Sequence, residues 1–230
     1  GAAVEEHIEL QMSERVRTGL LLALAGGLLD AYTYVTRGGV FANAQTGNIV
    51  LLGVRACEGD WGGMLHRLLP ILAFVAGGLA AEEIRHRYRG GQEVHWRQVA
   101  LGLEIAVLLA VSFLPPALNG AANVAVSFVC AIQVESFRKM RGNAFATTMC
   151  TGNLRSGTEQ FYQFLRTGGR EHLEKAAQYG GVILSFVLGA AVGAWCSARL
   201  GVRAAAVACV PLLTALCLMR FRGQKAAKKK

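Results

Sequence analysis

Polar side chains interrupt an apolar stretch in the first quarter of the chain, at residues 40–53, VFANAQTGNIVLLG. Asn43, Gln45, Thr46 and Asn48 stand close together within it. Amide and hydroxyl groups both donate and accept hydrogen bonds. Such a cluster could bind a small polar solute, or it could satisfy backbone groups that a break in a helix releases.

A second version of this stretch follows about a hundred residues later, at residues 144–157, AFATTMCTGNLRSG. Residues 37–48, RGGVFANAQTGN, align with residues 141–153, RGNAFATTMCTGN, if the second copy carries one inserted residue. Arg-Gly, Phe-Ala and Thr-Gly-Asn are shared. Gly47 and Gly152 permit a sharp change of backbone direction because glycine has no Cβ. The repeated pattern predicts two broken helices.

The predicted solute site combines these two breaks with an acidic side chain. Asp30 is its expected centre, as cation ligand, proton acceptor or counter-charge. A carboxylate at the centre of a membrane helix costs about 2.5–3.5 kcal/mol, and such residues usually mark a pathway or a proton relay. The alternative for Asp30 is an internal pair with an arginine or a backbone group. The complete set of candidate residues is Asp30, Tyr34, Gln45, Thr46, Asn48, Gln133, Glu135, Thr147, Thr151 and Asn153.

The Thr-Gly-Asn residues and two further acids also have structural interpretations. The threonine and asparagine of each motif could simply cap and lock a helix break. Glu104 stands seven residues from Arg97, which favours a position near a membrane interface. Glu135 lies one helical turn before Arg138, a spacing at which the two side chains can pair.

The composition indicates a helical protein of the membrane. The 230 residues are 53% hydrophobic and 17% charged, whereas a soluble domain carries about 25% charged residues. The charges are segregated, so several long apolar runs contain none. A membrane-spanning helix needs roughly 20 mostly apolar residues. Six spans are predicted, at about 17–36, 67–87, 97–114, 117–137, 176–198 and 203–220.

Two further apolar segments, about 40–55 and 144–160, are short and contain the Thr-Gly-Asn motifs. If both dip into the bilayer and return, all but five of the 24 Lys and Arg residues fall on one side. That side is cytoplasmic by the positive-inside rule, and both termini share it. Eight full spans would separate the charges less cleanly. We therefore expect six spans with two re-entrant segments, in the inner membrane of a bacterium.

The repeat extends to the helices after each motif, since AFVAGGLAA at residues 73–81 resembles SFVLGAAVG at residues 185–193. The chain then divides into a first repeat, 17–115, and a second repeat, 116–221. Each contains three crossings, an odd number, so the two must have opposite orientations. Inverted repeats with broken helices near the bilayer midplane are typical of transporters. A polar segment, 1–16, expected to be a short helix or a disordered tail, precedes the repeats, and a basic tail, 222–230, follows them.

Other functional classes find little support in the sequence. The net charge of +9 is explained by loop residues that set membrane orientation and by a tail that attracts anionic lipid, so nucleic acid is not an expected partner. The six cysteines form no CxxC pair, and no HExxH, GxSxG or P-loop motif occurs. We expect no catalytic site, no metal and no cofactor. The expected partners are the lipid bilayer and a small solute or ion, together with further copies of the chain if it forms a homo-oligomer.

The stretch DAYTYVTRGGVFANAQTGNIVLLG resembles the YoaK-like family of bacterial integral membrane proteins, a domain of unknown function. Its pattern is an Asp in the first helix followed by GG-F-A-N-TGN, which is matched by Asp30, Gly38, Gly39, Phe41, Thr46, Gly47 and Asn48. The second-half pattern is matched by Gln133, Arg138, Thr147, Thr148, Thr151 and Gly152. Val134 and Glu135 depart from it, since the family tends to have Asn-Ala there. The resemblance covers residues 17–220 and implies a membrane protein without an established substrate.

The function expected from the residues is a transporter or channel for a small polar or ionic solute, with its central site at the two breaks. A non-transporting membrane subunit that binds a partner or lipid is the first alternative. An enzyme acting within the membrane on a lipid or quinone is a weaker alternative, because the sequence has no evident catalytic constellation.

Overall fold

The computed structural model of the protein describes residues 2–87, 93–138 and 150–227. These residues are helical apart from short connections, and no strand occurs among them. In chain order the α-helices of the described ranges are α1 (Ala2–Thr36), α2 (Gln45–Cys57), α3 (Trp61–Arg87), α4 (Glu93–Val111), α5 (Asn119–Arg138), α6 (Cys150–Thr167), α7 (Arg170–Leu200) and α8 (Cys209–Ala227). Short 3-10 helices, Pro116–Leu118 and Gly201–Ala208, precede α5 and α8.

Four helical segments in the described ranges are long and apolar enough to cross a membrane: Arg15–Thr36, Trp61–Arg87, Pro116–Phe137 and Arg170–Arg220. The last has 51 residues and contains both α7 and α8, joined at Gly201, whose φ is 58°. The polar N-terminal residues are not a separate element, because α1 is continuous from Ala2. The predicted all-helical fold with helices suited to crossing a membrane is therefore confirmed for the described residues.

Four helices, α1, α4, α5 and α8, supply most of the buried apolar core, with side chains such as Leu22, Leu101, Val126 and Leu212. Outside this group, α3 packs on α5 and α7 packs on α1. The two helices that carry the Thr-Gly-Asn motifs are more peripheral, since α2 packs on α3 and α6 packs on α7.

Glycines allow the outer helices to approach the inner ones closely. A Cβ on Gly77 of α3 would collide with the carbonyl oxygen of Phe128 on α5. A Cβ on Gly189 of α7 would collide with the carbonyl oxygen of Leu24 on α1. Small residues at membrane helix interfaces let backbones pack at short range. Gly77 and Gly189 are therefore helix-packing positions.

Large apolar side chains cover the outward surfaces of α3 and α7. Leu72 and Val75 on α3 and Leu184 and Val187 on α7 are all more than half exposed. Soluble monomers rarely expose continuous apolar surface of this kind. Lipid is the surrounding that such surfaces fit.

A buried arginine at the end of α1 hydrogen-bonds to the end of α4. Arg37, just after α1, is completely buried, and its Nη2 donates to the carbonyl oxygens of Val111 and Leu114 at 3.0 and 2.9 Å. Its Nη1 donates to the carbonyl oxygen of Pro115 at 3.2 Å and to Oδ1 of Asn119 at 2.9 Å. The last carbonyls of a helix lack intrahelical partners and carry partial negative charge. Arg37 therefore caps the end of α4 and ties it to α1.

Candidate functional site

The connection between α1 and α2 turns back and runs along α1. Gly38 and Gly39 make the turn with φ of 88° and 73°, a conformation that glycine adopts without strain. Asn43 then reaches deep along the helix, where its backbone N–H donates to Oδ1 of Asp30 at 2.6 Å. Its Nδ2 lies 3.4 Å from the carbonyl oxygen of Gly26, midway along the segment Arg15–Thr36. The N-terminal end of α2 consequently lies beside the middle of α1.

Asp30 lies at this N-terminal end of α2 and is only 4% exposed. Besides the hydrogen bond from Asn43, its carboxyl group faces the backbone N–H groups of Ala42 and Ala44. Helix N-termini stabilise negative charge through these free N–H groups. Oδ2 of Asp30 is buried and has no hydrogen-bond partner among the described residues. The sequence suggests that Asp30 could pair internally with a backbone group or with an arginine. Pairing with a backbone group is observed for Oδ1, and no described arginine contacts Oδ2.

The side chain of Asn48 hydrogen-bonds across the first break. Its Oδ1 accepts from the backbone N–H of Phe41 at 2.8 Å, and its Nδ2 donates to the carbonyl oxygen of the same residue at 2.8 Å. Nδ2 also donates to Oε1 of Gln45 at 2.9 Å, while Nε2 of Gln45 donates to the carbonyl oxygen of Ala42 at 3.0 Å. Asn48 is completely buried. The locking role considered for this asparagine is thus observed, and Gln45 shares it.

Two residues of the predicted first-half site point elsewhere. Tyr34 is 52% exposed, and its ring stacks on that of Phe41 with centroids 5.1 Å apart, rather than facing Asp30. Thr46 is exposed on the surface of α2. Gly47 instead makes room for the Phe41 ring, because a Cβ there would lie 2.7 Å from two ring atoms.

The second break is described from Cys150 onward. Asn153 is buried like Asn48, whereas Thr151 is exposed like Thr46. Cys150, the first residue of α6, lies within electrostatic range of Asp30. The start of α6 therefore lies on the same side of the core as Asp30. Thr147, which was predicted to belong to the site, lies outside the described residues.

The predicted residues of α5 separate into two environments. Gln133 is buried, and the amide orientation that satisfies hydrogen bonding puts its nitrogen 2.9 and 2.7 Å from the two carboxylate oxygens of Glu104. Glu104 is completely buried within the protein, and its predicted position near a membrane interface stays a prediction. Glu135 is half-buried beside Arg85 of α3, at 3.8 Å, and its predicted pairing with Arg138 stays a prediction because that side chain lies outside the described residues.

Three residues of this region were not predicted as parts of a site: Asn43, Arg37 and Cys130. Asn43 lies within the polar stretch that suggested the site, so its residue type was a usable signal. Cys130 of α5 lies close to the Asn43 side chain and within electrostatic range of both Asp30 and Glu104. A single cysteine in an apolar run carries no such signal, because it behaves as a small hydrophobe.

The family assignment rests on nearly the whole membrane region. Residues 18–218 match the model of a family described as Protein of unknown function (DUF1275), so the chain belongs to that family. This confirms the resemblance to the YoaK-like proteins. Neither a curated protein nor a solved structure matches the chain.

Proposed function

We propose that the protein is a membrane transporter or channel for a small polar or ionic solute, which binds where the helix breaks meet Asp30. One observation carries the proposal: a carboxylate oxygen, Oδ2 of Asp30, is buried beside the middle of a membrane helix without a partner among the described residues. Ionisable residues at this depth are expensive to insert and usually serve a pathway. A cation, a proton or a hydrogen-bond donor of a solute would complete the coordination of this oxygen.

The first break is proposed to be re-entrant. The sequence of contacts from Gly39 to Tyr34, then from Asn43 to Asp30 and Gly26, supports a loop that enters the bilayer beside α1 and returns as α2. With 13 residues, α2 is about 20 Å long, which is too short to cross a hydrocarbon core of about 30 Å. Irregular backbone at such depth is tolerated where protein buries it or where it lines a wet cavity.

Six crossings in two inverted repeats are also proposed. In the two proposed repeats, α1 is the counterpart of α5, α2 of α6, α3 of α7 and α4 of α8. Two helices that pack together then have counterparts that also pack together. The pair α1 and α7 becomes α5 and α3, α2 and α3 becomes α6 and α7, and α4 and α5 becomes α8 and α1. Arg37 at the end of α1 contacts Asn119 at the start of α5, which supports opposite directions for these two counterparts.

The same arrangement supports the proposed location. With 51 residues, Arg170–Arg220 has enough length for two crossings, which would bring both termini to one face. The excess of Lys and Arg on that face supports the proposal that it is the cytoplasmic side of a bacterial inner membrane. Lipid and a small solute are then the partners, and an assembly of several copies remains compatible with this placement.

A non-transporting membrane subunit is the second candidate, and the Asn48 network favours it. The amide groups of Asn48 and Gln45 are hydrogen-bonded within the first break, so they offer little to a passing solute. Under this second function, Asp30 would serve only to hold the N-terminal end of α2.

A screen followed by uptake measurements distinguishes the two candidates. Purified protein would be melted in the presence of alkali and alkaline-earth chlorides, sodium salts of inorganic anions, amino acids, amines and sugars. Each stabilising solute would then be tested in radiolabelled form for uptake into proteoliposomes. We expect uptake by the parent protein, loss of uptake for Asp30→Asn, and parent-like uptake for Glu135→Gln, whose carboxylate is paired with Arg85.

Both variants must elute and melt like the parent protein before their uptake is compared. Parent-like uptake by Asp30→Asn would contradict the role of its carboxylate. Uptake no faster than in protein-free vesicles, for every stabilising solute, would favour the non-transporting subunit.

A further inference from the structure

Glu104 is a second buried carboxylate that the proposed solute site does not use. It lies on α4, is completely buried, and contacts no basic side chain among the described residues. Its two oxygens both face the amide nitrogen of Gln133 on α5. An isolated ionised carboxylate away from water is very costly, and a bound proton removes the charge.

Helix lengths indicate that Glu104 and Asp30 lie at the same depth. Arg37 donates to the carbonyl oxygen of Val111 on α4 and accepts, through its own carbonyl, a hydrogen bond from Asn123 on α5 at 2.8 Å. This contact aligns α1, α4 and α5 at one level. Counting seven residues inward from Arg37, Val111 and Asn123 leads to Asp30, Glu104 and Cys130, respectively. Seven residues are about 10.5 Å of helix, so all three groups share one layer.

Cys130 lies between the two carboxylates in this layer. Its side chain contacts that of Asn43, whose backbone N–H binds Asp30, and it lies within electrostatic range of both acids. Gln133, which binds Glu104, follows Cys130 by one turn of α5. The layer therefore places Cys130 close to both carboxylates, with the Asp30–Asn43 contact near it on one side and the Glu104–Gln133 contact on the other.

We propose that Glu104, held by Gln133, is a proton-binding site that couples proton movement to solute binding at Asp30. The proposal rests on the proposed transport function, because it names the coupling ion. In the step itself, a proton binds one carboxylate oxygen of Glu104 to form the neutral acid, and the other oxygen keeps its hydrogen bond from Gln133. Release of the proton to the opposite side restores the carboxylate, and no other bond changes.

The donor set favours a proton over a metal cation. A hard cation prefers several oxygen ligands, whereas the group that faces Glu104 here is an amide N–H donor. The nearest titratable group on α8 is Cys209, whose Sγ donates to the carbonyl oxygen of Ile105 at 3.7 Å. The basic residues of the neighbouring elements are engaged or distant, since Arg97 of α4 donates to the carbonyl oxygen of Ser136 and Arg203 of the 3-10 helix is exposed.

Infrared difference spectroscopy tests the proton site without knowledge of the solute. Protein reconstituted in lipid would be taken through a pH titration while the carbonyl stretch of protonated carboxylic acids is recorded. We expect a titrating band that disappears in Glu104→Gln and remains in Glu135→Gln. In Gln133→Leu the band should shift to higher frequency, because the acid loses its hydrogen-bond donor. Glu104→Asp keeps the carboxyl group and serves as the second variant if Glu104→Gln does not fold.

Several outcomes would overturn the proton site. If no band depended on Glu104, the carboxylate would stay ionised throughout the titration. If the band were present but did not change with pH, Glu104 would stay protonated. A band that changes when choline chloride is replaced by sodium chloride at constant pH would assign the site to a metal cation. A titrating band in a protein without solute uptake would instead refute the proposed transport function, so the two failures are distinguishable.

Discussion

The two helix breaks carry the same Thr-Gly-Asn motif but lie in different surroundings. The first continues as α2, an apolar helix with one charged residue, Arg55, and exposed apolar side chains such as Ile49 and Val50. The second continues as α6, an amphipathic helix with exposed charges such as Arg155 and Glu159. The motif therefore does not determine the character of the helix that follows it.

Within the motif, each position has its own role. Both asparagines, Asn48 and Asn153, are buried, whereas both threonines, Thr46 and Thr151, are exposed. In the first half the described residues bring Asp30 to the break, and the corresponding position in the second half is Val134 or Glu135, which lies beside Arg85. The comparison teaches that the two copies share a buried asparagine, while the buried carboxylate seen at the first break is a feature of the first half.

The largest expected effect on the free energy of unfolding comes from removing the buried asparagine side chain of each motif. Asn48→Ala removes both partners of the buried backbone groups of Phe41, which should lower the free energy of unfolding by about 2–4 kcal/mol. Asn153→Ala should cause a comparable loss because that side chain is equally buried. Both values can be measured by titration with SDS in bicelles.

The matched control is Thr46→Ala, an exposed neighbour that should change the free energy of unfolding by less than about 0.5 kcal/mol. A neutral effect of Asn153→Ala would show that the second motif does not repeat the lock of the first.

A smaller effect is expected at the glycines that join the outer helices to the inner ones. Gly77→Ala and Gly189→Ala each direct a methyl group at a backbone carbonyl, so each should destabilise by about 1–3 kcal/mol. Gly102→Ala on α4 meets open space and is the control. The same titration would measure all three, and a large loss at one glycine with none at the other would count against equivalent contacts in the two halves.

The smallest expected effect on stability comes from replacing the glycine of each motif with alanine, and its sign differs between the two motifs. Gly47→Ala brings a methyl group against the Phe41 ring, which stacks on Tyr34, and should destabilise by about 1 kcal/mol. Gly152→Ala meets nothing within 4 Å and gains helix propensity, so it should be neutral or stabilise by up to about 1 kcal/mol. Shifts of the melting temperature in the same direction for both variants would contradict the difference between the breaks.

Much of this organisation could be predicted from the sequence because it depends on local patterns. Apolar runs predicted the helical segments that are long and apolar enough to cross a membrane. Asp30 was recognisable because a carboxylate is conspicuous in an apolar run. The roles of Arg37 and Glu104 were not predictable in this way, because each depends on partners about 30 to 80 residues away that only tertiary packing brings near. The exposure of Tyr34 and Thr46 depends on how the first break turns, which spacing alone does not determine.

The central claim is that solute reaches the N-terminal end of α2 beside Asp30 at membrane depth, and cysteine accessibility tests it most directly. Ala44→Cys would be made in a chain whose six cysteines are replaced by alanine, with Leu22→Cys in the buried core as control. The probe is a membrane-impermeant, cationic methanethiosulfonate added to either side of proteoliposomes. We predict modification of Ala44→Cys from at least one side, slowed by adding Asp30→Asn, with Leu22→Cys unreactive. Failure of Ala44→Cys to react from both sides would mean that the break is dry and would contradict the account.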